Sequence, residues 1–307
     1  MYQYFIVFLS NFFILKISIP LFKKYLLDEI NDRSSHLIAK PRGGGIFLVL
    51  TFFLFCIIKS DISFIFAIPL SVCCFIDDFK GLNSKIKFAT QVLTFSCLFF
   101  FNIQFYSTFL PLYLLLPFFL VYILFGSTIL NFVNFMDGID GLIAGSFLII
   151  FSYIGFFINK EFLIVVPCLI AFLYFNWQPS KIFLGDVGSV FIGYLFFKCL
   201  ISLDSLEKFA VLVLVTTPLL LDPLICLLRR FFAGRNIFRP HKDHLYQRLN
   251  QGGISHANVS LLYMASIIFL IVSYELGNLY SLLIGNIIIL IAGIYIERNK
   301  AVPFLRK

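Results

Sequence analysis

The sequence is poor in charge and in histidine, and it has a single tryptophan. Charged residues make up 13% of its 307 positions, against about 25% in ordinary soluble domains. A surface with so little charge does not suit water, which excludes a soluble globular fold. No C-x-x-C pair occurs among the seven cysteines, and Cys56, Cys73, Cys74, Cys97, Cys168, Cys199 and Cys226 all lie in or beside apolar segments. They read as small core residues, without a disulfide framework or a cysteine-based metal site. No charge precedes the first apolar run, whose first basic residue is Lys16, so the N-terminus does not read as a cleavable signal. The glycines at 43–45 are not followed by G-K-[ST], which excludes a Walker A loop.

What the chain does have is apolar length. Hydrophobic residues reach 60%, with 42 Phe, and mean hydropathy is +0.97. Eleven apolar runs, near 2–22, 44–58, 62–76, 88–104, 109–130, 142–158, 162–176, 187–201, 209–228, 259–275 and 279–296, suit membrane helices. The expected fold is a single all-α polytopic membrane domain over 1–307, with ten to eleven transmembrane helices. The shorter runs need tilt or snorkelling flanks to cross. Nineteen of the 24 Lys and Arg fall in alternate loops and the C-terminal tail, and three in the opposite loops. That bias places the N-terminus outside and the long polar loops, near 23–43, 77–87, 131–141, 177–187 and 229–258, in the cytoplasm. The charge of +8 therefore reports topology, and no nucleic-acid partner is expected.

Every polar cluster with chemical potential lies in those loops. The stretch NFVNFMDGIDGL at 131–142 spaces Asn131, Asn134, Asp137 and Asp140 by three. If it is helical, they share one wall, where two carboxylates repel unless a cation or donor-rich ligand intervenes. Gly138 and Gly141 would leave that turn open to a ligand. A solvated acidic loop is the bland alternative. KPRGGG at 40–45 can offer a phosphate Arg42, Lys40 and glycine N–H groups, or simply be a basic turn. Asp77 and Asp78, with Lys80, Lys85 and Lys87 just after, suit a metal–diphosphate site or an ordinary interfacial helix end. In FNWQPSKIFLGDVGS, Asp186 precedes a new helix, as a site residue or an N-cap. The loop 229–258 holds His241, His244 and His256 with six basic residues. With no cysteine near in sequence, it reads as a cationic lid and not a zinc site. Asp222, within an apolar run, is a functional candidate by position, or an acid neutralised by Arg229 and Arg230.

Taken in order, these loops resemble the polyprenyl-phosphate N-acetylhexosamine-1-phosphate transferases, which include the phospho-MurNAc-pentapeptide translocases. The resemblance runs from Asn31 to about Tyr263. NDRSSH at 31–36, PRGGG at 41–45, FMDGIDG at 135–141 and HKDHLYQRL at 241–249 are most similar to a bacterial subgroup that starts O-antigen or related polysaccharide units, often on N-acetylfucosamine, N-acetylquinovosamine or N-acetylglucosamine. The resemblance implies that Asp186, with Asn134 beside it, binds Mg²⁺, or Mn²⁺ in its place. It implies that Asp77 and Asp78 lie at the reacting phosphates, and that Asp137 and Asp140 help form the nucleotide-sugar site. Lys87 would contact phosphate, Asn176 and Phe183 would lie near the uracil, and His244 and His241 would meet the diphosphate or sugar. Arg42 and Asn131 complete the expected substrate-binding set.

Two departures, PRGGG in place of a Thr-Pro-Thr pattern and the lack of consecutive histidines in the fifth loop, argue against a MurNAc-pentapeptide substrate. The implied partners are a UDP-N-acetylhexosamine, undecaprenyl phosphate and the bilayer of a bacterial cytoplasmic membrane, with a homodimer left open. An intramembrane Mg²⁺-dependent prenyltransferase would need N-x-x-x-D or D-x-x-x-D patterns, where the chain has N-x-x-D-x-x-D. A transporter would place its acids near the midplane, and only Asp222 points that way.

Overall fold

A computed structural model describes residues 2–28, 39–108, 110–237, 239 and 241–304, so the NDRSSH segment at 31–36 lies outside the described residues. The helices are α1 (Tyr2–Tyr25), α2 (Ile46–Lys59), α3 (Ile68–Lys80), α4 (Ser84–Phe101), α5 (Ile103–Ser107), α6 (Leu112–Phe135), α7 (Leu142–Phe157), α8 (Val165–Asn176), α9 (Gly185–Ile201), α10 (Leu206–Val215), α11 (Thr217–Phe232), α12 (Leu245–Gln251), α13 (His256–Leu276) and α14 (Leu279–Lys300). Among the described residues the strands are β1 (Leu27–Asp28) and β2 (Lys40–Pro41), paired antiparallel across the base of the first loop. The protein is thus an all-α membrane fold, and the eleven apolar runs are helical along most of their length, the one at 209–228 being divided between α10 and α11.

Four helices, α1, α6, α13 and α14, are individually long and apolar enough to cross a bilayer. A fifth candidate is the pair α10 and α11, bent by 68°. The bend has a local cause. Pro218 follows Thr216 and Thr217, lacks an N–H, and its ring disfavours continuation of the preceding turn. Helix α2, with 14 residues, is about 21 Å long, short of a roughly 30 Å hydrocarbon core.

Helix α9 is the axis of the bundle. It is buried without a break from Val187 to Phe197, as expected of a helix apolar on every side. Phe197 meets the edges of Phe95 and Tyr122, with ring centroids 4.8 and 5.0 Å apart. The outer faces are apolar as well: Leu116, Leu120 and Leu124 of α6 and Ile284, Ile287 and Ile291 of α14 are exposed. Such a surface suits lipid and not water.

The first turn of α9 also meets the start of α2, where Gly45 and Gly188 pack backbone against backbone. Gly44 N–H donates to the Phe183 carbonyl at 3.0 Å and Gly45 N–H to that of Leu184 at 2.9 Å. This corrects the expectation for KPRGGG: these two amides join loops of the protein and are not offered to a phosphate. The two ends of α9 differ in character. At the far end, Lys198 donates to the Ser63 hydroxyl at 2.8 Å; at the near end stand Asp186 and its neighbours.

A side-chain carbon at Gly45 would overlap the Gly188 Cα, whereas one at Gly293 meets nothing within 4 Å. Gly45→Ala is therefore expected to destabilise the protein by about 1–3 kcal/mol or more, and Gly293→Ala to leave it unchanged or slightly more stable. Thermal unfolding in detergent checks the pair.

Candidate active site

Two aspartates at the end of α3 occupy successive helical positions, so their side chains diverge by about 100°. Asp78 is buried and turns to the start of α9, accepting the Asp186 N–H at 3.0 Å and the Val187 N–H at 3.2 Å. It thereby caps a helix that has no cap of its own. Asp77 turns the other way and accepts the Lys87 ammonium at 2.8 Å and the Leu82 N–H. Lys87, in the first turn of α4, reaches on to Asp186 at 3.1 Å. From the last turn of α6, Asn134 donates to Asp186 at 3.0 Å and to the Ser189 hydroxyl at 2.9 Å. One cluster thus joins α3, α4, α6 and α9.

The charges in this cluster are unevenly held. Burial works against the ionised form of Asp186, but Lys87, Asp77 and Asn134 outweigh it and hold the carboxyl below its usual range. Burial and the neighbouring Asp186 push Asp77 up against the pull of Lys87. Asp78 is pushed up to about 7 by burial and then by Asp186, with the two amides and Arg42 opposing. Burial disfavours the Lys87 ammonium, yet Asp186 and Asp77 together keep it charged and raise its pKa. Asp137 is pushed well above the usual range by burial, then by Asp186 and Asp78. Among the described residues its carboxylate has no hydrogen-bond or ion-pair partner. The Asp186 and Asp137 carboxylates and the amide oxygen of Asn134, which accepts no hydrogen bond among the described residues, are hard oxygen donors, a set that fits Mg²⁺ or Mn²⁺. The ammonium held between Asp77 and Asp186 already marks the place as one that favours a cation.

Asp140 belongs to a different pocket. Helix α6 ends at Phe135, so the wall expected from the three-residue spacing breaks into separate sites. Asn131 pairs with Gln91 of α4, Asn134 with Asp186, and Asp140 swings toward the loop after α8. There it accepts the Ser180 hydroxyl at 2.7 Å and the Ser180 N–H at 3.1 Å. Lys40 lies 3.4 Å away and the His256 Nδ1 3.5 Å away. Burial alone would raise the Asp140 pKa, but His256, Ser180 and Lys40 pull it down to about 2. The Lys40 ammonium also sits 5.3 Å from the centroid of the half-buried Phe183 ring. Buried Asn176 ties the two sides together, accepting the Gly141 N–H at 3.0 Å and donating to the Ile182 carbonyl at 2.9 Å. The glycines of this turn serve packing and not ligand approach, since Gly138 faces the Tyr246 hydroxyl and Gly141 the Trp177 ring.

The remaining expected site residues have protein partners. Arg42 donates to the Asp78 carbonyl at 2.8 Å and to Asp28 at 3.4 Å. Asp222 is not neutralised by Arg229 and Arg230, which pair with Glu297 and Asp243. It accepts the Leu245 and Tyr246 N–H groups at 2.7 and 3.0 Å and the Tyr263 hydroxyl at 2.7 Å, capping α12 from α11. His244 is buried beside it, with Nδ1 3.7 Å from Asp222, and stacks near His241 at 4.9 Å. Burial, His244 and Arg230 lower the His241 pKa to about 4, against Asp243. The expectation that no cysteine is near these histidines is overturned. The loop folds back along α11 and brings His241 and His244 to Cys226. Sequence reasoning also missed Ser180 and His256 as partners of Asp140. Their hydrogen-bond and charge partners lie 40 and 116 residues away, beyond any local pattern.

The lowered pKa of Asp140 has a stability consequence. Its contribution, about 2 kcal/mol, is fully present above the unfolded carboxyl pKa of about 4 and is lost as pH falls toward 2. Asp140→Asn should remove that contribution at pH 7 and flatten the loss of stability between about pH 4 and 2. Thermal unfolding across that range measures both effects.

The family model for glycosyl transferase family 4 matches residues 61–204, which span Asp77, Asp78, Lys87, Asn134, Asp137, Asp140 and Asp186. A probable undecaprenyl-phosphate N-acetylglucosaminyl 1-phosphate transferase of Bacillus subtilis (strain 168) is 29% identical over 273 residues, covering 79% of this chain and 75% of that protein. A phospho-N-acetylmuramoyl-pentapeptide-transferase of Wolbachia pipientis wMel is 30% identical over 230 residues, covering 62% of this chain and 70% of the other. A decaprenyl-phosphate N-acetylglucosaminephosphotransferase of Mycobacterium leprae (strain TN) is 32% identical over 225 residues; this chain spans just over half of it, 56%, and 61% of the chain is covered. With the acids and the lysine gathered at one end of an apolar bundle, these similarities place the chain in glycosyl transferase family 4.

Proposed function

We propose that the protein transfers an N-acetylhexosamine 1-phosphate from a UDP-sugar to undecaprenyl phosphate, and that the lipid-diphosphate sugar so formed starts a cell-envelope polysaccharide of the O-antigen kind. The observation that carries this reading is Lys87 held between Asp77 and Asp186, beside Asn134 and an Asp137 with no partner among the described residues, at the end of a membrane bundle. A water-soluble nucleotide and a membrane-bound phosphate can meet only at such a boundary. The bias of the basic residues supports the cytoplasmic face of a bacterial cytoplasmic membrane. The Bacillus and mycobacterial relatives are named for N-acetylglucosamine, which supports that sugar as the first donor to try.

In the reaction, a phosphate oxygen of the carrier attacks the sugar-bound phosphorus of the donor. The bond from that phosphorus to the bridging oxygen breaks, and UMP leaves. Both reactants are polyanions, so the main task is to offset charge and fix position. Lys87 sets a positive charge beside the phosphates, and Asp77 holds it there. Asp186, with Asn134 and Asp137, would hold Mg²⁺, which when bound neutralises charge on the diphosphate. The acceptor, a phosphomonoester with second pKa of about 6, is already mostly dianionic at pH 7. It needs no strong base, and Asp77, engaged by Lys87 and Leu82, serves better as an anchor. The Phe183 ring, with Lys40 over it and Asp140 paired to that lysine, suits a flat base with polar edges.

The test is transfer in detergent with purified protein, Mg²⁺, undecaprenyl phosphate and a panel of radiolabelled UDP-N-acetylhexosamines. Metal-dependent label in the lipid phase, with release of UMP, is the expected outcome. Asp186→Asn should insert normally and lose at least about 100-fold in rate. Undiminished transfer by that variant would overturn the metal assignment, and no product from any donor with folded protein would overturn the reaction.

A further inference from the structure

Helix α11 carries Asp222, Cys226 and Arg230 at intervals of four, on one face. All three are buried, and all three meet the loop between α11 and α12. Asp222 caps α12, Arg230 pairs with Asp243, and Cys226 lies between them against His241 and His244. The Cys226 sulfur and one nitrogen from each imidazole all lie within 4.8 Å of one another. Ligands of a tetrahedral zinc ion, with bonds of about 2.0–2.3 Å, stand roughly 3.5 Å apart. Small rotations of the two rings therefore suffice to close the set.

Two further observations point the same way. Among the described residues the His244 Nδ1 is buried with no hydrogen-bond partner, and it is the one imidazole nitrogen in that state. Each imidazole also has a carboxylate just beyond hydrogen-bonding range on its Nδ1 side: Asp222 at 3.7 Å from His244 and Asp243 at 3.9 Å from His241. Metal-bound histidines characteristically turn their second nitrogen to a carboxylate, which fixes the ring and strengthens the ligand. Ligation of His244 through its far nitrogen would turn an Nδ1–H toward Asp222 and satisfy that atom. For His241 it would replace the long contact in which Nδ1 accepts the Asp243 N–H at 3.4 Å with an Nδ1–H facing the same residue's carboxylate.

We propose that Cys226, His241 and His244 form a binding site for a thiophilic divalent transition metal, with Zn²⁺ the foremost candidate, that pins the fifth loop to α11. Thiolate and imidazole select zinc-like ions over Mg²⁺. The site is thus chemically distinct from the oxygen donors around Asp186, and the proposal does not depend on the transferase reading. Three protein ligands leave one coordination position open.

The experiment is a Co²⁺ titration of chelator-treated protein in detergent, with Mg²⁺ in large excess and folding monitored by circular dichroism. The intact protein should take up one Co²⁺ per chain with a thiolate-to-cobalt charge-transfer band and strong tetrahedral d–d absorption, both abolished by stoichiometric Zn²⁺. Cys226→Ser should lose the charge-transfer band, and Cys73→Ser, which alters another buried cysteine, should retain it. His241→Ala should weaken Co²⁺ binding by about tenfold or more. Absence of the bands from the folded intact protein, or their persistence in Cys226→Ser, would overturn the proposal.

Discussion

The structure depends on how the first turn of α9 is terminated. That helix begins with free amides in an apolar bundle and has no side-chain cap from its own segment, so an anion has to come from elsewhere. Asp78 supplies it from α3, with one oxygen on each of two amides. Because the cap is a carboxylate on a different helix, it sets the position of α3 relative to α9. It also leaves the Asp186 side chain free to face α4 and α6. Next to it, Gly45 and Gly188 bring α2 against the same turn. Asp222 repeats the device at α12, also as a buried acid accepting two amides from another helix. Burial of either carboxylate would be costly alone, and the paired amide hydrogen bonds offset it.

Around this terminus the chain concentrates charge that it otherwise avoids. Four carboxylates, Asp77, Asp78, Asp137 and Asp186, act on one another here, with Lys87 as the cation bridging Asp77 and Asp186. Such an arrangement raises some pKa values and lowers others, which separates groups that hold charge from groups that yield it. Asp140 stands apart in a pocket of Ser180, Lys40 and His256, strongly ionised, and its partner Lys40 lies over the Phe183 ring. The division into two neighbouring polar pockets suits a substrate with a charged part and a flat, hydrogen-bonding part.

Much of this was legible before any coordinates. Lipid imposes long apolar runs, and these are helical, although the run at 209–228 breaks into α10 and α11. The acids and Lys87 stood out because polar residues are rare here and recur at alternate loops. What was not legible has a common physical cause. The three-residue spacing from Asn131 to Asp140 implied one wall, yet a helix that stops at Phe135, just ahead of Gly138, sends Asp140 to partners that nothing local announces. The glycines of KPRGGG and of the 138–141 turn looked like room for a ligand, but they make room for Gly188, Tyr246 and Trp177. Cys226 looked like filler because its histidine neighbours lie on a loop that folds back. Each of these depends on contacts distant in sequence, which no short pattern encodes.

The last helix has a role that its apolar sequence conceals. Glu297 accepts both Arg229 and Arg248, and Arg248 also donates to the Val302 carbonyl at 3.1 Å while its guanidinium lies 5.4 Å from the Phe304 ring centroid. The end of α14 is therefore a buttress for α12 and, through Asp222, for the loop that carries His241 and His244. Mechanical load applied just after residue 304, by a fused domain or a tethering surface, would be transmitted to that loop. The same load applied before α1 would enter the bundle through a helix whose side-chain hydrogen bonds to other helices, among the described residues, are those between Asn11 and Thr51 of α2.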